Sequence, residues 1–134
     1  MATRTHKHAF LLAAGLLAGA SSLAIAQTAA DLVNDLVAAQ ARNGLHRRLG
    51  FWSAPDLLLV DELGYLPFEK RSAHLFFQLV ARRYEHGSMF VTTNQVVSQW
   101  GTVFGDDVLA AAILDRLLHP DVYDWSQVIA CVPF

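Results

Sequence analysis

The sequence predicts an α/β domain, three layers built around a parallel sheet. Three observations carry this. From Thr28 onward, helical and strand patterns follow one another as helix, strand, helix, strand, helix, strand, an order that argues for right-handed crossovers between parallel strands. The strand candidates are unbroken apolar runs without polar alternation, as expected of strands covered on both faces. The 134 residues are 54% hydrophobic and 16% charged, enough to fill one core and far from the composition of a disordered chain.

Met1 to Ala26 admits two readings. Arg4 and Lys7 form a basic start, Phe10 to Ala20 an apolar core, and Ala24-Ile25-Ala26 a small-x-small pattern before Gln27. That is the architecture of an export signal. The same residues also suit a buried helix over Ala9 to Ala20 and a short strand over Ser22 to Gln27, which periodicity alone does not separate. Thr28, with Asp31 three residues on, predicts a capped helix start. Leu32, Val33, Leu36 and Val37 recur at helical spacing, and Asn43-Gly44 ends or interrupts the helix. Ala54-Pro55 breaks the chain before a strand at Asp56 to Val60.

Gly64 and Pro67 predict a loop, then a helix over Glu69 to Glu85. Its apolar stripe is Ala73, Phe76, Phe77, Val80 and Tyr84, a spacing that marks a core face rather than a cofactor site. His86-Gly87 stops it. Met89 to Thr93 reads as a second buried strand closed by Asn94, Val108 to Leu118 as a helix ended by Pro120, and Gln127 to Val132 as a last strand.

The totals exclude several classes. A net charge of −2 provides no global basic field for nucleic acid. The doublets Arg47-Arg48, Lys70-Arg71 and Arg82-Arg83 could meet DNA phosphates, but such doublets on helices are usually solvated faces. The single cysteine, Cys131, allows no intramolecular disulfide and sits in an apolar run as a small core residue would. No stretch has the length and flanks of a membrane span, and no internal repeat is present.

The strand ends carry the chemistry. In open α/β sheets, ligands bind beyond the carboxyl ends of the strands. Asp61 and Glu62 close the run DLLLV, and Asn94 closes the next strand. Nucleotide hydrolysis needs a carboxylate near a magnesium ion and a group that orients the attacking water. An Asp-Glu pair suits both, and a neighbouring side-chain amide can hold the water or terminal phosphate. The plainer alternative is an acid that caps the following turn.

DLLLVDELGYLPF, VTTN and WGTVFGDDVLAAAILDRLLH, with TAADLVNDL before them, resemble the IstB-like ATP-binding proteins. These are helper ATPases of insertion-sequence transposition, related to the DnaC helicase loaders within the AAA+ class. The resemblance runs from about Thr28 to His119. It implies a P-loop NTPase (AAA+)-like core, incomplete at its N-terminus. It implies a Walker B strand with Asp61 toward magnesium, bound with ATP, and Glu62 as the catalytic acid. Asn94 falls at the sensor position, and Arg116 matches an arginine that reaches the nucleotide of an adjoining subunit. Alternatively, Asp115 and Arg116 form a surface ion pair, worth little. The implied partners are like ATPase subunits, transposase and DNA, in the cytoplasm.

The chain also departs from that family. It contains no G-x-x-x-x-G-K-[ST], the loop whose backbone N–H groups and lysine cradle phosphates. Gly15 and Gly19 have no Lys-Ser or Lys-Thr after them, and the central strand that leads into such a loop is missing as well. The expected organisation is a signal-like or remnant helix and strand segment at 1–27, a partial ATPase domain at 28–119 and a divergent tail at 120–134. This looks like a truncated or rearranged copy of a mobile-element gene. Three readings follow: an ATPase domain inactive alone, a non-enzymatic remnant that associates with full-length subunits, or an exported fusion product.

Overall fold

The computed structural model describes residues 23–84 and 86–118, and the backbone of Gln127–Cys131. The expected helix at Ala9 to Ala20, the stop at Pro120 and the side chain of Cys131 lie outside the described residues. Four parallel strands stand in sequence order: β1 (Ala24–Thr28), β2 (Leu57–Leu63), β3 (Ser88–Thr93) and β4 (Gln127–Cys131). The α/β class and the parallel sheet are those expected. The connecting helices are α1 (Ala29–Ala41), α2 (Leu45–Ser53), α3 (Lys70–Arg83), α4 (Trp100–Phe104) and α5 (Asp107–Leu117), with a 3₁₀ turn at Val97–Gln99. Right-handed crossovers that always step the same way across a sheet put their helices on one face. Among the described residues the helices therefore form one layer against the sheet.

Local chemistry sets the element ends. The Thr28 hydroxyl accepts from the Asp31 N–H at 3.1 Å and starts α1, as the sequence predicts. Asn43 takes a left-handed φ of 54° and the Gly44 N–H returns to the Ala39 carbonyl, which stops it. Asp106 caps α5 by accepting from the Leu109 N–H at 2.9 Å. The short α2 has no counterpart among the expected elements. It is held by Asp35 of α1, which accepts from Trp52 Nε1 at 2.7 Å and from Arg48 Nε. Burial raises the Asp35 pKa, but the hydrogen bonds from Arg48 and Trp52 and the Arg48 charge outweigh it, leaving it below the ordinary value.

Leu58, Val60, Leu63, Met89 and Val91 of the sheet meet Leu32, Leu36, Phe76, Leu79 and Ile113 of the helices in one core. The buried face of α3 is rotated from the expected stripe. It includes Leu75, Leu79 and Arg83, while Phe77 and Tyr84 are only half-buried. Leu75 and Leu79 are each one residue before a position of that stripe, Phe76 and Val80, and α3 packs against α5. Phe68, Phe76, Phe104 and Trp100 form an aromatic cluster with centroids 5.5–5.8 Å apart between adjacent rings.

Arg83 overturns its expectation as half of a solvated basic doublet. It is 1% exposed. Its guanidinium donates to the carbonyls of Trp52, Pro55 and Ser88 at 2.7–3.0 Å, tying the end of α2 and the starts of β2 and β3 together. Burial pushes its pKa below the usual value, and the Asp56 carboxylate acts in the opposite sense. A Cβ on Gly87 would fall 2.7 Å from this guanidinium, so glycine there makes room for it.

Candidate functional site

The expected strand ended at Val60; β2 instead runs on through the acidic pair to Leu63. Val60 pairs with Val91, and Leu63 with Thr93. Two residues of β2, Asp61 and Glu62, thus stand against one of β3, Thr92, which is a β-bulge. In a regular strand Val60 and Leu63 would point to opposite faces. The extra residue returns Leu63 to the helix-facing core beside Leu58 and Val60. Asp61 and Glu62 are displaced from the ladder with β3, both half-buried at the carboxyl edge.

The bulge has a definite backbone signature. Glu62 takes φ 60°, a left-handed conformation that costs a non-glycine residue about 1–2 kcal/mol. Its N–H donates to Asp61 Oδ1 and to Thr92 Oγ1, both at 3.0 Å. The Thr92 hydroxyl in turn donates to Asp61 Oδ1. Gly64 follows at φ 86°, with Gln95 and Val103 so close that a Cβ would meet them at 2.9 and 3.2 Å. The β2–α3 loop therefore packs directly on the segment after β3.

Asn94 stands at the end of β3, exposed, on the same carboxyl edge as Asp61 and Glu62. It is presented by Thr93, which is fully buried and whose hydroxyl accepts from the Gln95 N–H at 3.1 Å. On the other side of the pair, Thr28 of β1 stands in register with Asp61. There Glu62 lines a groove of ≈ 330 Å³, with Thr28 and Asn34 on one wall and Tyr65, Glu69 and Arg71 on the other.

Arg116 is not brought to this edge. It lies in the last turn of α5, where its guanidinium sits 4.9 Å from the centroid of the Phe77 ring and donates to the Ala112 carbonyl at 2.9 Å. Phe77 is midway along α3, about 10 Å from the start of that helix at 1.5 Å per residue.

The chemistry available is that of two adjacent carboxylates with an amide nearby. Hard carboxylate oxygens are the donors magnesium takes, usually with waters and substrate phosphates completing its shell. Asp61 and Glu62 fit that part of the demand. The phosphate-cradling loop has no counterpart in the 134 residues. Sequence reasoning missed Thr92, whose only signal was a hydroxyl beside Asn94 in the run VTTN.

Comparisons with known proteins bear on the fold and the family. By structure, the chain is similar to a DNA replication initiation factor (TM-score 0.62, 14% identity, covering 84% of this chain and 32% of that one). It is equally similar to AMPPCP-bound DnaA from Aquifex aeolicus (TM-score 0.62, 15% identity, 84% and 32%). The α/β fold with its parallel sheet is thus one that these two proteins share. By sequence, a family profile described as IstB-like ATP binding protein matches residues 3–123, and the chain belongs to that family. It is 46% identical over 95 residues to a protein of Geobacillus stearothermophilus named as an ATP-binding protein of insertion sequence IS5376, covering 71% of this chain and 38% of that protein. It is 49% identical over 88 residues to the correspondingly named protein of insertion sequence IS21 from Pseudomonas aeruginosa, covering 66% and 33%. The chain spans 38% and 33% of the length of these two relatives. Among the described residues, no helix is long and apolar enough to cross a membrane.

Proposed function

We propose that this chain carries the Walker B and sensor side of an ATPase that assists DNA transposition, and that alone it hydrolyses ATP negligibly. The observation that supports the first half is the acidic pair, bulged out of β2 at the carboxyl edge beside Asn94, in a family of insertion-sequence ATP-binding proteins. In this reading Asp61 holds magnesium, Glu62 orients the attacking water and takes its proton, and Asn94 holds the water or terminal phosphate. Arg116 lies away from its own acidic pair, which suits an arginine that serves a like subunit beside it. Transposase and DNA are the further partners.

The second half rests on what phosphoryl transfer requires. Its catalysis is almost wholly positioning and charge stabilisation. The chain has carboxylates for the metal but no Gly-rich loop with lysine to hold the phosphates. ATP turnover by the purified chain is the test, with a rate equal to buffer expected. An inert chain would still have a role as a partner of full-length ATPase subunits. Tyr65 and Leu66, 69% and 62% exposed on the loop beside Glu62, offer apolar contact for it. Failure of the same preparation to co-purify with a tagged full-length family member would count against that role.

The chain works in the cytoplasm in this reading. The family match begins at residue 3, and β1 pairs with β2 from Ala24 to Thr28. Cleavage after Ala26 would cut through that strand. The chain produced in a bacterium is therefore expected to keep Met1 to Ala26, apart from removal of Met1 itself, when its intact mass is measured. A mature start at Gln27 would support export instead.

A further inference from the structure

We propose that Thr92 is a positioning residue whose hydroxyl holds Asp61 and Glu62 in their bulged arrangement. This rests on the reading of the pair as nucleotide-facing only for its purpose; the geometry stands without it. Thr92 is 3% exposed, so its hydroxyl needs partners inside the protein. It has two, both on the pair: it accepts from the Glu62 N–H at 3.0 Å and donates to Asp61 Oδ1. Along β3, Met89 and Val91 face the helical core, and alternation turns Thr92 to the other face. A valine of the same shape would satisfy the strand equally well. The hydroxyl is therefore explained by what it holds rather than by packing.

The two bonds act on different degrees of freedom. The one from the Glu62 N–H gives the left-handed Glu62 backbone a partner across the strand, since bulging has taken that group out of the ladder. The one to Asp61 fixes the carboxylate's rotation, and the same oxygen also accepts from Glu62 N–H. Threonine thus closes a three-membered ring of hydrogen bonds around the bulge. Without it, Glu62 N–H keeps Asp61 Oδ1, a neighbour on its own strand, and loses its partner on β3.

Amide hydrogen exchange and the Glu62 HN–Hα coupling, read by NMR on the full chain, test this. Thr92→Val is expected to speed exchange at Glu62 by about tenfold, the worth of one net hydrogen bond, and to shift its coupling away from the left-handed value. The Leu59 and Val91 amides of the ladder should be unchanged. Thr92→Ser, which keeps the hydroxyl, is expected to restore the Glu62 signature. Unchanged Glu62 exchange and coupling in Thr92→Val would overturn the proposal. Should Thr92→Val loosen the whole sheet, Thr92→Ser decides, and failure of serine to protect Glu62 overturns it. No nucleotide enters this test. ATP turnover by the chain would defeat the functional proposal and leave Thr92 in its place, whereas an unprotected Glu62 would do the reverse.

Discussion

Arg83→Leu is expected to destabilise the fold by about 2–4 kcal/mol, a large share of the roughly 5–15 kcal/mol that holds a domain together. Leucine fills much of the volume but donates nothing. The carbonyls of Trp52, Pro55 and Ser88 would lose the guanidinium that now bonds all three, and each buried acceptor left unpaired costs about 1–3 kcal/mol. Part of that is offset, because a buried cation no longer has to be desolvated. Arg83→Lys should recover little, since one ammonium lacks the planar fork that reaches three carbonyls at once. Urea unfolding followed by circular dichroism gives the value. A change below about 1 kcal/mol would mean the carbonyls find other donors.

Phe104→Ala is expected to cost about 3–5 kcal/mol. Phe104 is 1% exposed and its ring meets Phe68, Phe76 and Trp100, at centroid distances of 5.5, 5.7 and 5.8 Å. Truncation opens a cavity between α3, α4 and the β2–α3 loop, and forfeits aromatic pairs worth about 0.5–1.5 kcal/mol each. The loop is concerned directly, because the Phe68 N–H donates to the Val103 carbonyl at 2.8 Å. Phe104→Leu, which keeps most of the volume, should lose less than half as much. Equal losses for leucine and alanine in denaturant unfolding would show that ring contacts rather than volume set the cost.

Much of this fold is legible because its signals are local. The apolar runs before Asp61 and Asn94 are strands because only a sheet covered by helices buries such runs, and Thr28 caps α1 through a hydroxyl three residues from its partner. Signals that depend on distant residues were not legible. Arg83 reads as a surface charge until the carbonyls of Trp52 and Pro55, 31 and 28 residues earlier, converge on it. The end of β2 was misplaced because the apolar run that marks the strand stops at Val60, whereas the strand continues through the acidic pair to Leu63. The helix α2 has Leu45, Leu49 and Trp52 at helical spacing, but His46, Arg47, Arg48 and Gly50 dilute the pattern. At the site, Asp61, Glu62 and Asn94 stand out as polar residues ending apolar runs. Thr92 does not, since threonine is an ordinary strand residue and its role comes only from the register of β3 against the bulge.

The measurement that bears most directly on the central claim is steady-state ATP hydrolysis with magnesium by the purified chain and by its Glu62→Gln variant, both freed of host ATPases. On the proposed reading the acidic pair serves phosphoryl transfer, while the 134 residues hold no Gly-rich loop with lysine for the phosphates. That reading predicts that both proteins hydrolyse ATP at the rate of buffer. Turnover by the unaltered chain that Glu62→Gln abolishes would contradict it, because the pair would then be catalysing without the cradle that the account makes indispensable.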